Sequence, residues 1–177
     1  MRSLYLFGSL LLLLISCAHT RVAQKPAMLL GQHPREDLQK PPFSTWFNNN
    51  YADFTINKDS IQILSPLLSG LSFEIFMGTW CPDSRREVPR MLKILDACHV
   101  PADSIRIIMV DYREGAYKQS PGHEEKGKDI RHVPDLLVLD HGLEKGRIVE
   151  SPVVSLENDL LAITTGEAYK PHYSDSH

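Results

Sequence analysis

The stretch from Leu71 to Cys98 constrains the fold most. Leu71 to Met77 reads as a buried strand, Gly78-Thr79 turns the chain, and Trp80-Cys81-Pro82-Asp83-Ser84 follows. Val88, Met91, Leu92, Leu95 and Cys98 then recur at i, i+3, i+4, i+7 and i+10, which predicts one apolar helix face. Cys81 therefore stands where a strand ends and a helix begins. At such a position unpaired backbone N–H groups and the helix dipole favour the thiolate, the nucleophilic form of cysteine.

The flanking pattern predicts an α/β domain around this unit. Upstream, Phe43, Trp46, Phe47, Tyr51 and Phe54 recur at helical spacing. Asp59 to Leu68 suits a second short helix, with Ile61, Leu64, Leu67 and Leu68 inward and Gly70 near its end. Downstream, Ser104 to Val110 reads as a strand and Asp111 to His132 as a polar, glycine-containing loop. Leu136 to Leu139 and Arg147 to Glu150 form a hairpin across Asp140 to Gly146, and Leu156 to Ile163 a closing helix.

The N-terminus is of another kind. Met1, Arg2 and Ser3 lead into an apolar run from Leu4 to Ile15, too short to span a bilayer comfortably and laid out like a secretory signal. It ends Leu14-Ile15-Ser16-Cys17, which resembles the bacterial lipobox. That resemblance implies a signal peptide over 1–16, lipidation of Cys17 and a lipid-anchored protein of the bacterial cell envelope or periplasm. Two or three acyl chains anchor stably where one does not. Ordinary secretion with cleavage nearby is the plainer alternative. Residues 17–42 are polar, lack periodicity and carry Pro26, Pro34 and Pro41-Pro42, so they read as a tether. The folded domain is expected over 43–165, with a polar tail at 166–177.

Strand, Trp80-Cys81-Pro82-Asp83-Ser84 and helix resemble the Trp-Cys-x-x-Cys region of the thioredoxin superfamily, with serine in the second cysteine position. Pro89, eight residues after Cys81, matches the proline that kinks this helix in thioredoxins, and Val133-Pro134 before a strand and hairpin matches the family's cis-proline. The resemblance implies a thioredoxin-like fold, a central mixed β-sheet flanked by helices, here with an N-terminal helical extension. It implies catalysis by Cys81 with Ser84, and substrate contact by Trp80, Pro82, Val133 and Pro134.

Three departures limit the chemistry. Ser84 cannot expel a mixed-disulfide partner as a second thiolate does. Cys98 cannot stand in: a helix of this length puts it ~25 Å along the axis, whereas a disulfide needs Cα atoms within about 7 Å. The position six residues before the nucleophile, an aspartate in thioredoxins, is Ile75, and Glu74 beside it points to the other face. Asp135 follows Pro134 where thioredoxins commonly have threonine, adding negative charge.

Each residue also has a structural reading. Ser84 either hydrogen-bonds the Cys81 thiolate or caps the helix. Trp80 shields the thiol or merely packs, and Arg85 and Arg86 either attract an acidic tripeptide such as glutathione or are solvated surface. Cys98 reads as a small core residue. The eight histidines show no paired ligand spacing, so no metal or other cofactor is expected. Lys+Arg 19 against Asp+Glu 22 gives a charge of −3, which excludes nucleic-acid binding by phosphate neutralisation. Two functional classes stay open. One is a monothiol thiol-disulfide oxidoreductase or isomerase acting on protein or glutathione thiols and disulfides in the cell envelope. The other is a redox-inactive binding or structural lipoprotein on the same fold.

Overall fold

A computed structural model describes residues 27–174. The expected signal peptide and the lipidation residue Cys17 lie outside the described residues. Within them run β1 (Gly31–Gln32), α1 (Arg35–Leu38), α2 (Ser44–Asp53), α3 (Lys58–Leu68), β2 (Ser72–Met77), α4 (Pro82–Ala97), a 3-10 turn (Ala102–Ser104), β3 (Ile105–Met109), β4 (Asp135–Asp140), β5 (Leu143–Val149) and α5 (Leu156–Thr165). The strands form one five-stranded sheet in the order β1-β3-β2-β4-β5. β2 and β3 are parallel, joined through α4 as a parallel pair requires, and every other pairing is antiparallel. The protein is thus an α/β fold on a mixed sheet. Among the described residues no helix is long and apolar enough to cross a membrane.

Strand alternation divides the interior into two layers. Phe73, Ile75, Met77, Ile107, Met109, Leu136, Val138 and Ile148 face a large core shared with Leu38 of α1, Phe47 of α2, Leu64 and Leu68 of α3, Leu92 and Leu95 of α4, and Leu160 and Ile163 of α5. Phe76, Ile108 and Leu137 face the opposite way, into a small cluster with Val110, Val133 and Cys81. The helices therefore all pack on one face. The expectation of helices flanking the sheet is corrected accordingly: the second face is covered by the 111–132 loop, whose Ile130 packs on the small cluster.

The tether expected over 17–42 is also corrected. From Gly31 the chain belongs to the fold, for β1 pairs with β3, and Leu38 is fully buried. Arg35 donates two hydrogen bonds to the Asp96 carboxylate, at 2.7 and 2.9 Å, and Tyr51 donates a third at 2.7 Å. The segment looked like a linker because its elements are two and four residues long and expose polar side chains, too short for any periodicity. Its Pro41-Pro42 bond is cis, as is Val133-Pro134.

Three smaller differences follow the same logic. Leu67 is exposed rather than inward, because α3 buries only the narrower stripe through Leu64 and Leu68. The hairpin turn is just His141-Gly142, both with positive φ, the geometry of a tight two-residue connection. β5 starts at Leu143 but reads as loop, since the first half of this edge strand is exposed and charged. The expected tail is docked: after Gly166 closes α5 in a left-handed conformation, Tyr169 donates to Asp159 and Tyr173 stacks on His132.

Candidate thiol site

Cys81 is the N-cap of α4, in extended backbone (φ −81°, ψ 124°), and Pro82 occupies the first helical position, where a missing N–H costs nothing. The Cys81 N–H donates to Gly78 O at 2.9 Å, closing the turn out of β2, and its carbonyl accepts from Arg85 N at 3.0 Å, starting the helix. The Cys81 side chain does not cap the first turn. It turns instead toward the 133–134 segment, where Sγ–H donates to the Val133 carbonyl at 3.3 Å. The cis peptide that follows that carbonyl brings Pro134 beside the sulfur's partner. Cys81 as a whole residue is 7% exposed.

Ser84 fulfils neither expected role. It is fully buried, and its Oγ accepts from Gly78 N at 3.2 Å, tying the turn to the helix it introduces. Ile75 is buried in the sheet between Ile107 and Leu136, and Glu74 points into the opposite layer, where Arg106 and Lys128 bind it. The position that holds an aspartate in thioredoxins is thus apolar and faces the large core, whereas Glu74 shares the layer of Cys81 and is held there by two cations. Pro82 is exposed and Trp80 half-buried, whereas Val133 and Pro134 are buried and form the floor of the site.

Trp80 is held firmly. Its Nε1–H donates to Val110 O at 2.8 Å, and its ring meets Tyr112 and Tyr117 at centroid distances of 5.8 and 6.2 Å. Asp111 positions that aromatic pair by accepting from the N–H groups of Tyr112 and Arg113, and the Arg113 guanidinium holds its carboxyl down at about 2. The Trp80 ring lies so close to Gly78 that a Cβ there would stand 2.4 Å from it. Gly78→Ala is accordingly expected to push the ring off its Val110 bond and destabilise the fold by ~1–3 kcal/mol. A red-shifted tryptophan emission with a lowered melting temperature is the result to look for, and an unchanged spectrum would contradict this packing.

The exposed tyrosines were not foreseen, for they come from a loop without periodicity. Nor was the segment at Ala27 to Leu29, where Leu29 N donates to Thr79 Oγ1 at 3.3 Å. Met28 there joins Trp80, Arg85 and Tyr112 around a cavity of about 340 Å³. Arg85 is anchored by its Nε–H on Thr79 O at 2.6 Å, and Arg86 is engaged by Asp83 and Glu87, so its charge is already paired. Cys98 is a core residue, as the pattern predicts; burial pushes its thiol up to about 11, and Cys81 and Cys98 are both free.

Comparison with known proteins identifies no relative. No family model, curated protein or solved structure matches this chain. What the site can do rests on its own geometry. A lone sulfur at a helix start, beside a cis-proline segment and next to aromatics, can form one covalent bond to a partner sulfur but holds no second thiol to break it.

Proposed function

We propose that this is a thioredoxin-like monothiol exchange protein, held in a bacterial cell envelope through Cys17. The observation that carries the reading is the pairing of Cys81 at the start of α4 with the carbonyl that precedes the cis Val133-Pro134 bond, while Ser84 fills the second position. The sheet order, with the parallel β2–β3 pair around α4 and the antiparallel β4–β5 hairpin after the proline, supports the same family.

The chemistry is a pair of exchanges. Cys81 releases its proton to solvent, and its thiolate attacks one sulfur of a disulfide. A Cys81–partner disulfide forms while the other half leaves as a thiolate. An external thiolate then attacks the partner's sulfur in the adduct, restoring the Cys81 thiolate and creating a new disulfide. No net oxidation of this protein occurs, which suits isomerisation or deglutathionylation better than bulk reduction.

Trapping tests the proposal. Full chain incubated with oxidised glutathione, then digested and mapped by mass, should carry glutathione on the Cys81 peptide and none on that of Cys98. Dithiothreitol should remove it, and Cys81→Ser should show no adduct in the corresponding peptide. An unmodified Cys81 in folded protein, reacting only after denaturation, would overturn the reading. The burial of the sulfur favours, in that event, the second function: a redox-inactive binding or structural lipoprotein in which Cys81 is a packing residue.

A further inference from the structure

A second concave feature is lined by other residues than the thiol and its aromatic neighbours, though His132 and Asp135 in its wall flank the Val133-Pro134 segment. Where the docked segment after α5 crosses the β5 edge, it leaves a cavity of about 550 Å³, within the range that holds small organic ligands. Its wall is partly apolar, from Val149, Ile163 and Pro171, and partly aromatic, from Tyr169 and Tyr173. Asp135 stands on the same wall and is 1% exposed. Its Oδ2 accepts from Arg147 Nη1 at 3.0 Å, but its buried Oδ1 has no hydrogen-bond partner among the described residues. Buried polar atoms of folded proteins are almost always satisfied, and one left unpartnered on a residue that lines a cavity asks for a donor.

Charge says which donor. The Arg147 guanidinium is already shared: Nε–H and an Nη2–H bind the two oxygens of Glu144, and Nη1–H binds Asp135. Two carboxylates thus face one cation, and the group as a whole lacks one positive charge. We infer that this cavity is a binding site for a small organic amine, with its ammonium on the open oxygen of Asp135 and its apolar body against Val149, Ile163 and Tyr169. An ammonium supplies both the missing hydrogen bond and the missing charge, which a neutral donor does not.

Proton linkage follows. Burial pushes the Asp135 carboxyl up to about 7, with Arg147 opposing it and Glu144 and Asp129 reinforcing it. An ammonium binds the ionised form, so affinity is nearly full by pH 8, halved at about pH 7 and falls further as the carboxyl takes up its proton below that. Between pH 8 and pH 6 the ionised fraction changes from about nine-tenths to about one-tenth, a roughly tenfold loss of affinity. His132 and His172 also line the cavity, so Asp135 accounts for the part of the slope that its removal abolishes.

The test uses benzylamine and its neutral counterpart benzyl alcohol, titrated into ¹⁵N-labelled full chain while the amide signals of Gly146, Arg147 and Gly166 are followed. Benzylamine should shift these signals and bind at least about tenfold more tightly than the alcohol at pH 8. Asp135→Asn should weaken benzylamine at least about tenfold and flatten the pH dependence, with thermal unfolding showing the variant folded. Equal affinity for the two probes, no shift at these amides, or undiminished binding by a folded Asp135→Asn protein would each overturn the proposal. The comparison of probes needs no variant and stands even if that one does not fold.

Discussion

Under the proposed exchange chemistry, a Ser84→Cys protein is expected to lose the long-lived adduct proposed for the wild type. Residues 81 and 84 sit three apart at the first turn of α4, where helix geometry holds Cα atoms about 5 Å apart, within the span a disulfide bridges. A thiol introduced there would attack the Cys81–partner bond from within the same molecule. Its effective concentration is on the order of millimolar, so against micromolar external thiol the adduct should decay about a thousandfold faster. The product is an 81–84 disulfide, read as loss of glutathione mass with no free thiol at either position. The cost in stability is about 1 kcal/mol, because sulfur accepts more weakly from Gly78 N than the Ser84 hydroxyl does. An adduct that persists unchanged in this variant would mean that a thiol at position 84 does not reach the reacting sulfur, and the reading of Ser84 as the occupant of the resolving position would fail.

Leu38→Ala is expected to unfold the protein more easily by about 2–5 kcal/mol, the range for deleting a buried leucine side chain. In a domain of this size that lowers the melting temperature by roughly 5–15 °C. The loss comes from a segment that reads as a linker: Leu38 is fully buried under α1, and Arg35 beside it is fastened to Asp96 of α4. A tether substitution would change stability by about 0.5 kcal/mol or less. Thermal unfolding of the variant separates the two descriptions directly, and a shift within that smaller range would return the segment to the status of a linker.

The sequence made the helices and the middle strands legible because they bury enough to leave a period. Val88, Met91, Leu92 and Leu95 mark α4, and Phe47 with its aromatic neighbours marks α2. The strand of Leu71 to Met77 showed through its apolar run even with Glu74 in it, since both of its faces are covered. Elements that bury little left no such trace. β1 is two residues long, and β5 opens on exposed Leu143, Glu144 and Lys145. At the site, Cys81, Trp80 and Pro134 stood out because each is a rare residue type at a turn. Tyr112, Tyr117 and Met28 did not, since their approach to Trp80 is set by distant chain and by nothing in their own neighbourhood. The partner of Ser84 was misread for a related reason: serine at a helix start signals capping, and only packing shows that its hydroxyl reaches back to Gly78.

The unequal covering of the sheet bears on how the sulfur becomes available. Between Tyr112 and His132 no apolar side chain is fully buried, and the stretch is tied to the sheet by the Lys128–Glu74 ion pair, while the Ser120 hydroxyl binds only Glu124 and Glu125 of the same stretch. Ionic fastenings of this kind weaken with salt, and a flap with little buried hydrocarbon lifts at far smaller cost than a helix layer detaches. The small cluster that includes Phe76, Ile108 and Cys81 can therefore breathe open while the opposite side of the molecule stays shut. Under the proposed exchange chemistry, how often that flap lifts, rather than how eager the sulfur is, would set the pace at which a bulky partner is met.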